Sequence, residues 1–253
     1  MKKFLVLFFS IFICSIAHAD TETINWYVDE TSYATTTCQT GGDIILPTTP
    51  TKYGYTFQGW ANYIPIEYLE STGNQYIDTG IYPNGLIRMK AKIQTLRNAG
   101  VNSAFSGVIY PNRTSGEIWQ VIYPYNGVDF NVSQEEIIFN QNYLDIQDFD
   151  VDQVNRKIEL NGVTKNMNKT PLALEPGHFN IPLCKYQNEI NPSSNYWYGK
   201  VYFVKIWDNN TIVRDFIPVL DSNNTPCMYD KVSNTFFYNQ GTGNFIAGPV
   251  INQ

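Results

Sequence analysis

The sequence predicts an all-β protein whose main body is a two-sheet antiparallel sandwich, and three observations carry that prediction. Aromatic residues make up 15% of the chain and charged residues only 16%, and the long Leu/Ala/Glu/Lys stretches typical of helices are missing. Short runs of β-branched and aromatic residues recur between turn signals from Gln75 onward. The segment Tyr198–Val219 reads as a hairpin, because two such runs flank Asp208-Asn209-Asn210, whose side chains tolerate the left-handed conformations of a tight turn. Val201, Phe203 and Trp207 fall on one face of its first strand and Tyr202, Val204 and Ile206 on the other. Such a strand is expected in a sheet interior, covered on both sides.

The chain opens Met1-Lys2-Lys3, runs apolar from Phe4 to Ile16 and reaches Ala17-His18-Ala19. A charged start, a short apolar core and an Ala-x-Ala end are the pattern of a signal peptide, with cleavage expected before Asp20. The predicted destination is export: the periplasm, the cell surface or the extracellular space. No other stretch approaches the roughly 18 apolar residues of a membrane-spanning helix, so no integral membrane span is expected. The formal charge of −6 becomes more negative once Lys2 and Lys3 are removed, and no basic cluster offsets it. Nucleic acid is therefore not expected as a partner.

Residues 20–62 contain Ile24-Asn-Trp-Tyr-Val28, Gly41-Gly42-Asp43-Ile44-Ile45-Leu46-Pro47, and a proline-flanked approach to Gly54-Tyr55-Thr56-Phe57-Gln58-Gly59-Trp60. The last string resembles the signature of the internalin B-type repeat of Listeria and Bacteroides surface proteins. The resemblance implies a small β-rich module with no catalysis. Tyr55, Phe57 and Trp60 are too few to build a core alone, so the module is expected to lean on its neighbour.

Residues 63–253 form the main body. Strands are predicted at Gln75–Thr79, Leu86–Gln94, Ser103–Ile109, Glu117–Tyr123, Glu136–Phe139, Leu144–Val151, Arg156–Leu160, Val201–Trp207, Thr211–Ile217 and Thr235–Tyr238. Lys185–Asn195, polar and containing a proline, reads as a surface loop. Tyr68-Leu-Glu-Ser-Thr-Gly-Asn-Gln-Tyr-Ile-Asp-Thr-Gly80, Ile158-Glu-Leu-Asn-Gly162, Asp215-Phe-Ile-Pro218, Met228-Tyr-Asp230 and Gly241-Thr-Gly-Asn-Phe245 together resemble a jelly-roll domain of secreted and phage proteins, similar to the laminin-G and concanavalin A-like group. That resemblance implies a carbohydrate-binding or adhesive fold that also hosts glucanases, so fold alone does not settle function.

The candidate chemistry is sparse. Retaining glucanases on this fold place paired carboxylates in a Glu-x-Asp-x-x-Glu string, which is absent here, and Glu135-Glu136 point to opposite faces of one strand. After leader removal His178 is the remaining histidine, with no nucleophile motif beside it. No catalytic residue, metal site or cofactor is assigned. Asp148, Asp150 and Asp152 share a strand face and read either as calcium ligands or as an exposed acidic face. Trp119 and Tyr123 fall on one face of a strand with Tyr125 beyond, a pattern that fits a sugar-gripping ring platform or a core. Cys38, Cys184 and Cys227 survive cleavage. In an oxidising compartment Cys184 with Cys227 is the candidate disulfide, against three buried or free thiols.

The expected function is that of an exported, non-catalytic binding or adhesion protein contacting a glycan or a surface protein. A glycoside-active enzyme on the same fold is the alternative. In the hairpin, cross-strand charge favours a three-residue loop, Asn209 to Thr211, which sets Asp208 opposite Ile212 and Trp207 opposite Val213 and brings Lys205 to Asp215. Turn chemistry argues instead for the two-residue turn Asn209-Asn210.

Overall fold

The computed structural model describes residues 3–10, 21–28, 31–53, 55–60, 63–97, 104–109, 117–123, 127–133, 135–171, 179–188 and 195–251. Among them every long regular element is a strand, as the composition predicts. No helix is long and apolar enough to cross a membrane.

The small N-terminal sheet has the order Thr31–Gln39, Thr21–Val28, Lys3–Ser10, Tyr55–Trp60. The segment read as a leader supplies a strand, antiparallel to Thr21–Val28 and parallel to Tyr55–Trp60. Ile24 and Trp26 are buried in this unit against Ala34 and Cys38, and the Trp26 indole N–H donates to Thr36 Oγ1 at 2.8 Å. Tyr27 packs on a cluster of the main body, Tyr63, Val219, Cys227 and Tyr229. That is the contact a module with too small a core requires.

The main body holds two larger sheets. One has six strands in the order Glu135–Phe139, Val128–Val132, Glu117–Tyr123, Ser106–Ile109, Lys185–Asn188, Asn195–Tyr196. The other has eleven, with a main path that runs Val163–Asn166, Lys157–Leu160, Ile146–Asp152, Ile87–Thr95, Tyr198–Asp208, Thr211–Leu220, Pro226–Asp230, Thr235–Phe237. Leu69–Thr72 pairs with the first residues of Tyr198–Asp208. Strict alternation builds these ladders: Ile87, Met89, Ala91, Ile93 and Thr95 are all buried and the residues between them are half-exposed. The buried sets of both sheets meet in one core. Phe149 of the large sheet meets Phe105 and Phe130 on the other side, with ring centroids 6.1 and 5.7 Å apart and edges turned to faces.

The hairpin strand Tyr198–Asp208 lies in the interior of its sheet, between Ile87–Thr95 and Thr211–Leu220. It is not covered on both sides: Val201, Val204 and Ile206 are buried, whereas Tyr202, Phe203, Lys205 and Trp207 are half-exposed. Lys205 pairs with Asp215 and Val204 with Phe216, as cross-strand charge requires. The loop differs from the three-residue expectation. Asp208 pairs with Thr211 and Trp207 with Ile212, so the turn is the two residues Asn209 and Asn210, with φ of 45° and 62°. A bulge between Ile206 and Trp207 leaves Val213 without a partner and shifts the register by one. The bulge satisfies both demands at once, the left-handed asparagine turn and the Lys205–Asp215 contact of 3.3 Å.

The expected loop over Lys185–Asn195 begins instead with a strand. Lys185–Asn188 runs parallel to Ser106–Ile109, and Asn195–Tyr196 returns antiparallel beside it. One inward ring supplies its apolar signal, Tyr186, which lies over Gly107: a Cβ there would fall 2.3 Å from the Tyr186 ring. A single apolar residue among polar ones is too little periodicity to read as a strand.

Candidate functional site

The sequence-predicted candidates scatter. Trp119 is completely buried, its indole N–H donating to Ser106 Oγ at 3.2 Å, and its ladder partners are Val108 and Val132. Its ring belongs to the core, so it offers no face to a ligand. Tyr123 pairs with Asp129 at the end of the same strand, and Tyr125 and His178 lie outside the described residues. Cys184 and Cys227 form no disulfide; they are free thiols in two separate buried clusters. Burial pushes both thiols up, and the Asp221 charge adds to the effect at Cys227, which reaches about 12. Thiols so protonated are inert. The acids of the Asp148–Asp152 strand face basic side chains: Arg88 grips Asp150 with two hydrogen bonds of 2.8 and 2.6 Å, and Lys90 lies 3.9 Å from Asp148. Glu135 accepts the backbone N–H groups of Asn168 and Lys169. Among the described residues no cluster of His, Cys, Asp or Glu could hold a metal ion.

The structure assembles a different constellation. The extended run that starts at Asn195 belongs to the six-stranded sheet through Tyr196 and to the large sheet from Tyr198. Trp197 marks the crossing: it is completely buried, donates its indole N–H to Thr95 Oγ1 at 3.0 Å and lies edge-on to Phe105, centroids 5.2 Å apart. With Trp197, Gly199 and Val201 inward, alternation turns Tyr196, Tyr198, Lys200 and Tyr202 outward. These four positions span about 20 Å at the usual rise of a strand. Tyr76 stands beside Tyr196, centroids 6.3 Å apart, and Tyr68 meets Tyr202 edge-on at 5.8 Å. Five half-exposed tyrosines therefore line this run, Tyr76 and Tyr196 where it leaves the six-stranded sheet and Tyr198, Tyr202 and Tyr68 on the large sheet.

Two glycines permit this seating. At Gly73, with φ of +95°, a Cβ would fall 2.0 Å from Cζ of Tyr198 and 2.4 Å from both Cε atoms, so the backbone rests directly on one face of that ring. At Gly199 a Cβ would fall 2.3 Å from the Trp197 ring and 2.4 Å from the Gln94 carbonyl oxygen. Only glycine fits between Tyr198 and Lys200.

Each ring of the row carries a cation. The Arg97 guanidinium lies 3.5 Å from the Tyr198 centroid, and the Lys200 ammonium 4.1 Å from that of Tyr68. Lys185 lies 4.2 Å from Tyr76 and 5.4 Å from Tyr196, and Lys92 lies 5.4 Å from Tyr202. Among the described residues none of these four cations has a carboxylate within ion-pair distance, in contrast to Arg88, Lys90, Lys205 and Arg214. Burial pushes the Lys185 amine down. Burial also opposes the charge on Lys200, but the Tyr68 hydroxyl and the Glu70 carboxylate outweigh it and raise that amine above the ordinary lysine value. The Tyr202 phenol is raised by burial, with Glu67 and Tyr68 adding to it against Lys200.

A cleft of about 560 Å³ opens at the other end of strand Ile87–Thr95, lined by Asn84, Leu86, Gln153, Val154, Arg156 and Pro171 among others. The described residues that line it include no aromatic ring and one cationic side chain, so the tyrosine row carries the richer recognition chemistry. Sequence reasoning missed the row, although Tyr196-Trp-Tyr-Gly-Lys-Val-Tyr202 holds the period-two signal in plain view. No protein-family model, curated protein or solved structure matches this chain.

Proposed function

We propose that this chain is an exported, non-catalytic binding protein that contacts a glycan through the tyrosine row, on a jelly-roll domain preceded by an internalin B-type repeat. The leader-like first 19 residues support export to the periplasm, cell surface or extracellular space. The observation that carries the reading is the presentation of Tyr196, Tyr198 and Tyr202, with Tyr76 and Tyr68 beside them, along one outward-turned run that passes from one sheet to the other, where large amphipathic rings contribute contact area at small entropic cost. Aromatic residues left half-exposed on a sheet, with polar atoms at their edges, suit the mixed apolar and hydroxylated surface of a sugar chain.

A glycan array combined with a reducing-sugar assay on the purified protein tests this. Binding without release of sugar ends is expected, and it should fall in Tyr196→Ala and Tyr202→Ala while the melting temperature stays close to that of the parent. Turnover of any polysaccharide would replace the reading with that of a glycoside-active enzyme.

A further inference from the structure

We infer that the row binds an anionic polysaccharide, one carrying carboxylate or sulfate groups, and that its ring-mounted cations make the contact in place of open ring faces. The inference rests on the glycan reading above and narrows it. A neutral pyranose grips an aromatic residue by stacking on a free face; here both faces of Tyr198 are taken and each of the other four rings has a cation over one face. Tyr198 has the Gly73 backbone against one face; the Arg97 guanidinium, 3.5 Å from the ring centroid, has no room there and occupies the other. Lys185 is shared between Tyr76 and Tyr196, Lys200 sits over Tyr68, and Lys92 sits toward Tyr202. A neutral sugar stacking at Tyr198, or on the cation-bearing face of any other ring, would have to displace a cation. An anionic group meets them where they are, adding a charge-assisted hydrogen bond without breaking the cation–ring contact.

The charge pattern of the same sheet face supports an external anion. Toward Trp207 the cations are answered from within, by Asp150 for Arg88 and Asp215 for Lys205. Along the row they are not. Among the described residues the acids beside it are Asp148, opposite Lys92 in the ladder, Glu70, opposite Lys200, Glu67 near Tyr202, and Asp78 near Tyr76. They border the row without closing an ion pair on it, so a linear chain laid along the strand meets cations on its path and acids at its margins. The protein is acidic as a whole, which makes this local reversal specific to the row.

Dextran and dextran sulfate, which share a backbone and differ in charge, are the direct probes, with polygalacturonate as a carboxylate chain and polyglutamate as an anion that is no sugar. Titrated against the purified protein, dextran sulfate or polygalacturonate should bind and dextran should not. Affinity should fall about tenfold or more between about 0.05 and about 0.5 M NaCl. Lys92→Gln with Lys200→Gln should weaken binding by about tenfold at low salt, and Arg97→Gln with Lys185→Gln provides the same test if the first pair fails to fold. Equal, salt-insensitive binding of dextran overturns the anionic inference and leaves the glycan reading intact. Polyglutamate binding as tightly as dextran sulfate overturns the assignment of a polysaccharide. No binding to any glycan, charged or neutral, overturns both.

Discussion

Two aromatic stretches of this chain look alike in sequence and have opposite roles: Glu117–Tyr123, with Trp119 and Val121 in the core, and Tyr196–Tyr202, with four side chains turned to solvent. Both belong to well-paired strands, so strand propensity does not separate them. The ladder partners do. Trp119 sits between Val108 and Val132, whereas Lys200 sits between Glu70 and Gln94, and Tyr198 is opposite Thr72. A ring among apolar neighbours on its own face is committed to the interior, and its N–H then finds an internal acceptor such as Ser106 Oγ. A ring among long polar neighbours is capped by their cations. The face of a strand is decided by residues distant in sequence.

The sharpest way to break this contrast is Trp119→Ala. Emptying a fully buried indole site should cost about 3–5 kcal/mol in denaturant unfolding, whereas a cost below about 1 kcal/mol would return Trp119 to the ligand-facing set. Next in size is Gly73→Ala. Its Cβ would collide with the Tyr198 ring at a position of positive φ, and a loss of about 1–3 kcal/mol is expected. Adding Tyr198→Ala should recover part of that loss, since the double variant removes the collision and leaves only the backbone strain. If the double variant is no more stable than Gly73→Ala, the ring is not what Gly73 accommodates. The smallest effect concerns pH. Burial holds the Lys185 amine below the ordinary 10.5 while Lys200 is held above it, so rising pH discharges Lys185 first. Its neighbours are Tyr76, Tyr196 and, near Tyr76, Asp78. The effect of Lys185→Gln on dextran sulfate affinity should therefore fade on alkalinisation while that of Lys200→Gln persists. Simultaneous fading of both would remove the distinction between the two sites.

Alternation made most strands legible: Ile87–Thr95, Ile146–Asp152 and Lys157–Leu160 appear within a residue or two of their predicted bounds. What was illegible follows a pattern. Val128–Val132 and Pro226–Asp230 are buried at nearly every position, so they lack the period that marks a half-exposed strand. The bulge at Val213 was hidden because it reconciles two demands that look exclusive when each residue is assumed to pair. The cysteine pairing failed because Cys184 and Cys227 face different buried clusters, a matter of layers that spacing in the chain cannot reveal. The site itself was half legible. The outward residues Tyr196, Tyr198, Lys200 and Tyr202 stand at every second position, but which half of the alternation faces water depends on Trp197 turning inward where the chain changes sheets.

The position of strand Tyr198–Asp208 governs when the large sheet can form. Its partners Leu69–Thr72 and Ile87–Thr95 lie far earlier in the chain, and the bond from Ser71 Oγ to the Trp197 carbonyl spans 126 residues. Early strands therefore wait, with one edge open, until the last third of the polypeptide has been made. Closing such long loops is slow, and a domain built this way folds late and as a unit. Delayed folding of this kind leaves the early strands of a nascent chain extended until their late partner arrives.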